Sequence, residues 1–245
     1  MTAAKPFTEI DACLFDAFGT LFDVHAPVRT LTDRLGDDAD AISALWRQKQ
    51  IQYTWLRSLM DAYTAFTNIT AEALDHALGA HGIADDGLRG DLLNAYQNLA
   101  PYPEVPATLA HLRACGVPTG ILSNGDRAMV AGAAQNAGLD AHLDHILSAD
   151  DVSVFKPDAR VYQLGPDSLR TPPHRICFVS SNAWDVAGAA HFGYAVIWVN
   201  RFGQTRETLP GAPKAICARV DVVPQLLGYG QPPGLPGSAK GGSSA

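Results

Sequence analysis

Long apolar runs are missing from this 245-residue sequence. The clearest aliphatic stretch near the C-terminus, Ala195 to Val199, is far too short to span a bilayer. The N-terminal ten residues also lack the apolar core of a secretory signal. Positive charge is in the minority, because 18 Lys and Arg stand against 25 Asp and Glu, for a formal net charge of -7. This balance argues against nucleic acid or an anionic membrane surface as the main partner.

Cysteine is scarce as well, with four residues and no C-x-x-C pair. Cys13 and Cys177 lie inside apolar runs, where a thiol usually serves as a small hydrophobic side chain. We therefore expect all four cysteines to be reduced and the protein to be cytoplasmic. With 47% hydrophobic and 18% charged residues, the composition is globular, and the chain is long enough to bury a core without disulfides.

Short apolar runs recur along the chain and predict five buried parallel strands. They span residues 12–15, 118–122, 145–147, 176–179 and 195–199. Helical segments alternate with the later runs, and two of them end at glycine, the expected stop signal. We therefore predict an α/β fold with a doubly wound parallel sheet, a Rossmann-like core. A further helical segment, Ala159 to Leu169, contains Gly165-Pro166, and we expect that helix to be broken or kinked there.

About a hundred residues separate the first two predicted strands, far more than a crossover connection needs. Apolar residues in this segment recur at close to helical period, from Ile42 onward. We predict that residues 25–100 form a helical cap inserted into a core made of residues 1–24 and 101–229. Such a cap would enclose a pocket and exclude water. Residues 230–245 are mostly Gly, Pro and Ser, which predicts a disordered tail.

Polar residues follow directly on the ends of three predicted strands: Asp16, Ser123, Asn124, Ser180 and Asn182. Open parallel sheets bind ligands at this edge. Asp16 stands in the segment FDAFGTLFD, and a carboxylate at the end of a buried strand is costly unless it is paired or used. Taken alone, Asp16 is equally well interpreted as a capping residue that opens a loop.

Four motifs in order resemble those of the haloacid dehalogenase superfamily, over roughly residues 10 to 228. They are Asp16 after the first strand, Ser123-Asn124 after the second, Lys156 in FKPD, and Asp185 after the fourth. Phosphatases of that superfamily carry a second aspartate two residues after the nucleophile and a further magnesium-binding carboxylate near the fourth strand. Here those positions are Phe18 and Ser181, which suits a leaving group that needs neither acid nor metal, such as halide.

The closer resemblance is to the L-2-haloacid dehalogenase family. It rests on the segments FDAFGTLFDV (15–24), WRQKQIQYTWLRSLM (46–60), ILSNG (121–125), FKPDARVY (155–162) and FVSSNAWD (178–185). The resemblance implies hydrolytic dehalogenation of small L-2-haloalkanoic acids to D-2-hydroxy acids, with inversion at carbon and an aspartyl-ester intermediate. It implies a 2-halo carboxylic acid and water as the reactants and halide as a product, with no cofactor and no metal.

The resemblance also implies a role for each site residue. Asp16 attacks the carbon that bears the halogen, and Thr20 orients it. Lys156 pairs with the Asp16 carboxylate and is itself positioned by Tyr162. The water that opens the ester is placed and activated by Ser180, Asn182 and Asp185. The halide is received by Arg47 and Asn124 beside Trp184, and Ser123 with neighbouring backbone amides holds the substrate carboxylate. The same pocket is completed by Ala17, Phe18, Ile51 and Phe66.

Each of these residues also has a purely structural interpretation. Arg47 is equally typical of an exposed helix charge, and Lys156 of a solvated loop. Trp184, Phe66 and Tyr162 are also what a packed core would contain. Rival functions are fluoroacetate defluorination, opening of a strained ring beside a carboxylate, a phosphatase, and a silent protein that binds a small acid. Because the family often forms dimers and the cap is amphipathic, we also expect a homodimer.

Overall fold

A six-stranded parallel sheet forms the centre of the computed structural model, which describes Phe7 and residues 9–234. The strands are β1 (Ala12–Phe15), β2 (Thr119–Ser123), β3 (His145–Ser148), β4 (Ile176–Ser180), β5 (Ala195–Val199) and β6 (Ala215–Cys217), in the order β3-β2-β1-β4-β5-β6. All neighbouring pairs are parallel. The predicted α/β fold is therefore confirmed, and the five predicted strands are all present.

The strand order reverses at β1, which lies between β2 and β4. The chain winds outward from β1 to β3 in one direction and from β4 to β6 in the other. Ligands of such sheets bind beyond the carboxyl ends of the strands at this reversal. The strand β6 escaped the sequence prediction because it has three residues, lies at the sheet edge and is only partly buried.

Five helices follow β1 before the chain returns to the sheet: α1 (Ala26–Thr30), α2 (Thr32–Leu35), α3 (Ala39–Leu59), α4 (Phe66–Ala80) and α5 (Asp86–Gln97). They form the predicted helical cap, whose exact limits stay a prediction. A stripe at four-residue spacing is buried along α3, namely Ile42, Trp46, Gln50 and Thr54. Helices α3 and α4 pack together along their apolar faces, and their buried residues belong to the same hydrophobic cluster as those of the sheet.

The remaining helices flank the sheet: α6 (Val105–Ala114), α7 (Arg127–Asn136), α8 (Ala159–Leu169), α9 (Ala183–Phe192) and α10 (Val223–Leu227). Short 3-10 turns occupy residues 36–38, 140–142, 149–151, 173–175 and 220–222. No helix in the described part of the chain combines the length and apolarity that a membrane crossing needs. The four cysteines are free, as expected. Of the predicted tail, residues 235–245 lie outside the described residues.

Helix α8 runs from Ala159 to Leu169 with Pro166 inside it, so a break at Gly165-Pro166 is wrong, while a kink there stays a prediction. Proline lacks the N–H that would bond the carbonyl four residues earlier. That carbonyl, on Tyr162, instead accepts a hydrogen bond of 2.6 Å from the Tyr194 hydroxyl. Gly165 makes room for this hydroxyl, because a Cβ there would lie 2.1 Å from it. A distant tyrosine thus replaces the missing donor.

Candidate active site

Asp16 leaves the end of β1 at the point where the strand order reverses. Its backbone N–H donates to Val179 O on β4 at 2.9 Å, so the residue continues the sheet by one position. The chain then turns sharply, with the Ala17 carbonyl accepting from the N–H groups of Leu21 and Phe22. Gly19 has a φ of 91°, which favours glycine. This turn presents the Asp16 side chain at the sheet edge while leaving it only 6% exposed.

Three donors hold the Asp16 carboxylate. The Thr20 hydroxyl donates to Oδ2 at 2.9 Å, and Asn182 Nδ2 donates to the same oxygen at 2.8 Å. Lys156 Nζ lies 3.2 Å from Oδ1. These three donors, one of them a cation, bond both oxygens of the nearly buried carboxylate and fix its orientation. Thr20, Asn182 and Lys156, each assigned to the site by resemblance, therefore meet at one group.

Lys156 is shared between two carboxylates. Its ammonium also lies 3.0 Å from Asp185 Oδ2 and 4.8 Å from the centre of the Phe178 ring. With 1% of its surface exposed, Lys156 is not a solvated loop residue. Burial raises the pKa of the Asp185 carboxyl above its ordinary value; Lys156 opposes this shift and the nearby Asp16 adds to it. Such a shift brings a carboxylate closer to the basicity that a general base needs near neutral pH.

Asp185 is held by two hydroxyl groups. The Tyr162 phenol donates to Oδ1 at 2.8 Å, and Ser180 Oγ donates to Oδ2 at 3.0 Å. Burial raises the pKa of Tyr162 well above its ordinary value, so the phenol stays a donor. Tyr162 is fully buried and its hydroxyl contacts Asp185, whereas the resemblance implied that it positions Lys156 and belongs to the pocket. Within the described residues, no hydrogen bond joins Tyr162 to Lys156; the two contact different oxygens of Asp185, so an influence of Tyr162 on Lys156 passes through Asp185.

The carboxyl end of β2 supplies the next two predicted residues, Ser123 as its last residue and Asn124 directly after it. The Ser123 hydroxyl accepts from Gly125 N at 3.0 Å, which leaves its own proton to donate. Asn124 Oδ1 accepts from Lys156 N at 2.8 Å, so its NH2 group is what remains for a ligand. Gly125 is needed here, because a Cβ would come within 2.4 Å of the Phe18 ring.

Arg47 reaches the site from the cap. Its Nη2 donates to Phe18 O at 3.0 Å and to Asn182 Oδ1 at 3.2 Å, and its Nη1 donates to Gln50 Oε1 at 2.6 Å. It is half-buried and faces the pocket, so it is not an exposed helix charge. All three acceptors are neutral, and Arg47 makes no ion pair within the described residues. The guanidinium charge is thus available for an anion.

Gln50 was missed by the sequence analysis. It is fully buried, donates to Thr70 Oγ1 at 2.8 Å and accepts from the Tyr96 hydroxyl at 3.2 Å, which fixes the oxygen that Arg47 uses. The sequence did carry a signal for Gln50. Arg47 and Gln50 are three residues apart on one helix, so their side chains lie on nearly the same face and can contact each other. The sequence segment WRQKQ contains both.

These groups surround a small cavity. It is lined by Asp16, Phe18, Arg47, Ile51, Thr54, Phe66, Ser123, Asn124, Asn182 and Trp184. Its volume is about 20 Å³, room for roughly one water molecule. Phe66 is both buried and part of this lining, with its ring stacked on Phe18 at 5.5 Å. Ala17 is fully buried and is not part of the lining, so only its backbone is placed to contact a ligand.

A larger cavity of about 360 Å³ adjoins the small one. The two share Arg47, Ile51, Asn182 and Trp184 in their walls. Asp16 and Ser123 line only the small cavity. A ligand in the larger space would therefore lie outside the site of chemistry.

The residues present do not fit a magnesium site. The Ser181 hydroxyl, where phosphatases of the superfamily place a carboxylate, donates to Gly19 O, and its backbone N–H donates to Thr20 Oγ1 at 2.9 Å. Phe18 occupies the position of the phosphatase acid. Across the described part of the chain, no three His, Cys, Asp or Glu residues are grouped to hold a metal ion.

Fold and site together define a class of hydrolase, in which an aspartate directly after the first strand is the attacking group and a helical cap closes the pocket. Residues 10–193 match the family described as haloacid dehalogenase-like hydrolase. The chain is 46% identical to (S)-2-haloacid dehalogenase 4A of Burkholderia cepacia over 197 residues, which cover 80% of this chain and 85% of that protein. It therefore belongs to the L-2-haloacid dehalogenase family of the haloacid dehalogenase-like hydrolases.

Two solved structures agree with this assignment. The crystal structure of a dehalogenase with an intermediate complex is similar at a TM-score of 0.88 and 41% identity, covering 90% of this chain and 98% of that one. The L-2-haloacid dehalogenase from Xanthobacter autotrophicus, with chloropropionic acid covalently bound, is similar at a TM-score of 0.83 and 35% identity, with coverage of 89% and 98%.

Proposed function

We propose that this chain hydrolyses small L-2-haloalkanoic acids to D-2-hydroxy acids without a cofactor. The observation that carries the proposal is Arg47, a half-buried cation with only neutral partners that faces the same cavity as the Asp16 carboxylate. A site of this kind brings a buried nucleophile and a receptor for a departing anion into one apolar space.

The first step is displacement at carbon. An Asp16 oxygen forms a bond to C2 from the side opposite the halogen, and the carbon–halogen bond breaks with its electron pair leaving on the halide. Arg47 and the Asn124 NH2 group receive that charge as it develops. The Ser123 hydroxyl and the backbone N–H groups after Asp16 and Ser123 bind the substrate carboxylate. One displacement inverts the configuration at C2 and leaves an ester on Asp16.

The second step is hydrolysis of that ester. Asp185 removes a proton from a water molecule positioned by Ser180 and Asn182, and the oxygen attacks Asp16 Cγ. The bond between Cγ and the ester oxygen then breaks, so the new hydroxyl oxygen of the product comes from Asp16. The product oxygen takes up the second proton of the attacking water, which leaves Asp16 as a carboxylate, and the proton left on Asp185 passes to solvent. No second inversion occurs at C2.

Turnover assays test this proposal. Purified protein is given L- and D-2-chloropropionate, chloroacetate, fluoroacetate and a phosphate monoester, each with and without a chelator. We expect halide release from the L-enantiomer and from chloroacetate, unaffected by the chelator. Phosphate release that depends on magnesium, or halide release from the D-enantiomer only, would contradict the proposal.

We further propose a cytoplasmic location and a homodimer. Four free cysteines suit a reducing compartment. At the end of α3, Leu56, Leu59 and Met60 are all exposed, and Leu59 reaches 85%, which is unusual for neighbouring apolar side chains. Light scattering should report a dimer that Leu59→Lys converts to a monomer. A monomeric wild-type protein at micromolar concentration would overturn the dimer.

A further inference from the structure

Helix α4 begins without a cap of its own. Its N-cap residue is Ala65, whose methyl group cannot accept a hydrogen bond from the first turn. The N–H groups of Phe66 and Thr67 instead donate to Asp126 Oδ1 at 2.6 Å and Oδ2 at 2.9 Å, and the Thr67 hydroxyl also donates to Oδ2. Asp126 belongs to the core, in the loop between β2 and α7. The N-terminus of a helix in the cap is therefore hydrogen-bonded by a residue of the core.

Asp126 serves α4 rather than its own helix. It occupies the N-cap position of α7, with a φ of -55° and a ψ of 143°, yet its side chain makes no capping bond there. The first N–H of α7, on Arg127, donates to Asp150 Oδ2 at 3.2 Å instead. Asp150 Oδ1 in turn accepts from the hydroxyl of Tyr63 in the cap. Two core aspartates thus receive donors from the cap segment 63–67.

The residue held by this contact shapes the catalytic cavity. Phe66 is the first residue of α4, and its ring lines the cavity while stacking on Phe18 at 5.5 Å with a 19° interplanar angle. The cavity has room for roughly one water molecule, so a 2-halo acid enters only if its walls move. The bonds to Asp126 span the boundary between core and cap and hold the start of the helix that carries Phe66.

We propose that Asp126 is a positioning residue, which caps α4 across the core–cap boundary and so places Phe66 against the bound substrate when the cap is closed. The catalytic consequence rests on the proposed function. The geometric consequence does not, because closure of the cap is measurable without substrate.

The test separates capping from positioning. Asp126→Ala removes the cap and the link together, and we expect kcat/KM for L-2-chloropropionate to fall about tenfold, comparable to the loss of one helix cap. Adding Ala65→Asp restores a side chain that can accept from the first turn of α4. It does not restore the bonds between α4 and the core. We expect this double variant to recover thermal stability and to keep the low kcat/KM. If activity recovers together with stability, Asp126 is only a structural cap and the proposal is overturned.

Asp85→Ala is the matched control. Asp85 caps α5 in the ordinary way, by accepting from Leu88 N at 2.8 Å, and this bond lies wholly within the cap. Its loss should lower the melting temperature as Asp126→Ala does, with kcat/KM within twofold of wild type. An equal loss of activity in both variants would mean that any weakening of the cap impairs turnover, which contradicts a special role for Asp126.

The dependence of substrate preference on Phe66 gives a measurement that general destabilisation would not change. We expect Asp126→Ala to change the ratio of kcat/KM for L-2-chloropropionate to that for chloroacetate, because Phe66 contacts the larger substrate. In a Phe66→Ala background the same substitution should leave that ratio unchanged. Equal changes in both backgrounds would overturn the link between Asp126 and Phe66.

A measurement without substrate keeps the inference separate from the proposed function. Trp55 of the cap and Trp184 of the core meet edge to face at 5.3 Å, while Trp46 and Trp198 are buried, so a change in acrylamide quenching of the tryptophan emission reports mainly on closure. We expect greater quenching in Asp126→Ala and in the double variant, but not in Asp85→Ala. If the wild type turns over no halo acid, the proposed function fails while this result still stands. Unchanged quenching in Asp126→Ala would overturn the inference even if the wild type is active.

Discussion

The sheet edge and the cap contribute to the site in different ways. At the sheet edge, Asp16, Lys156 and Asp185 are nearly or fully buried, and both carboxylates pair with the one Lys156 ammonium within the core. The cap supplies Arg47 and Phe66 through side chains alone, and the charge of Arg47 has no partner within the described residues. The difference is that the groups proposed to react stand at the sheet edge and pair within the core, while the group proposed to receive the halide is supplied by the inserted cap.

The largest expected effect lies at the sheet edge. Asp16→Asn should lower the rate of ester formation by about 10⁴-fold or more, because an amide is a far weaker nucleophile than a carboxylate. Rapid-quench measurement of halide release tests this, with Asp11→Asn as the control. Asp11 lies just before β1 and pairs with Arg175 on the surface, so its variant should react at the wild-type rate. Substantial halide release by the purified Asp16→Asn variant would show that another group attacks the carbon.

Asp185→Asn should separate the two steps. Loss of a general base lowers a rate by about 10²–10⁴-fold, and here the loss falls on ester hydrolysis. Mass spectrometry of the variant after reaction with L-2-chloropropionate should show an ester on Asp16, with one halide released per protein. A slow first halide release with no accumulated ester would mean that Asp185 acts through Lys156 on the first step instead.

The raised pKa of Asp185 adds a pH dependence to the same step. The base acts only when ionised, so ester hydrolysis should slow as the pH falls through a pKa that lies above the ordinary aspartate value. The rate of ester decay in single turnovers, measured at a series of pH values, tests this dependence. If the rate of the wild type does not fall at low pH, or if the fall persists in Asp185→Asn, a group other than Asp185 takes the proton.

On the cap side, Arg47→Lys should lower the rate of ester formation on the order of a hundredfold, comparable to removing one preorganised donor from a developing anion. Lysine keeps the charge but not the planar group that bonds Phe18 O, Asn182 and Gln50 together. The loss should be larger for a chloro than for a bromo substrate of the same acid. The control is Arg57→Lys on the same helix, where Arg57 forms a partly exposed pair with Glu72. An equal, small effect on both substrates would remove Arg47 from the halide site.

The smallest expected effect is that of a chelator, which should leave kcat and KM within twofold. Phe18 and Ser181 stand where a metal-dependent phosphatase has carboxylates, and Ser181 is already bonded to Gly19 and Thr20. Activity after dialysis against EDTA, with and without added magnesium, measures this. A strict magnesium requirement would favour the phosphatase interpretation over the dehalogenase one.

The sheet edge was also the more predictable of the two regions. Asp16, Ser123 and Ser180 could be found because each follows a short buried strand, and strand ends of a parallel sheet converge in space. On the cap side, the motif match brought Arg47 to notice, but Gln50 and Asp126 act through partners 20 to 60 residues away. Such pairings depend on how helices pack, which local patterns do not encode.

Two departures from the sequence expectations have the same origin. Pro166 was expected to break or kink α8, which is unbroken because the Tyr194 hydroxyl supplies the missing donor from the connection between α9 and β5. Tyr162 was expected to position Lys156, and its hydroxyl contacts Asp185, which Lys156 also contacts. In both cases a side chain from another element decided the local structure.

The central claim is that Asp16 forms a covalent ester that water opens at Cγ, and isotope transfer tests it most directly. A single turnover with excess protein in water enriched in oxygen-18 should give unlabelled hydroxy acid and put the label into the Asp16 carboxylate. Peptide mass spectrometry locates that label, and later turnovers pass it on to the product. Labelled hydroxy acid in the first turnover, with Asp16 unlabelled, would mean that water attacks the substrate directly and would contradict the account.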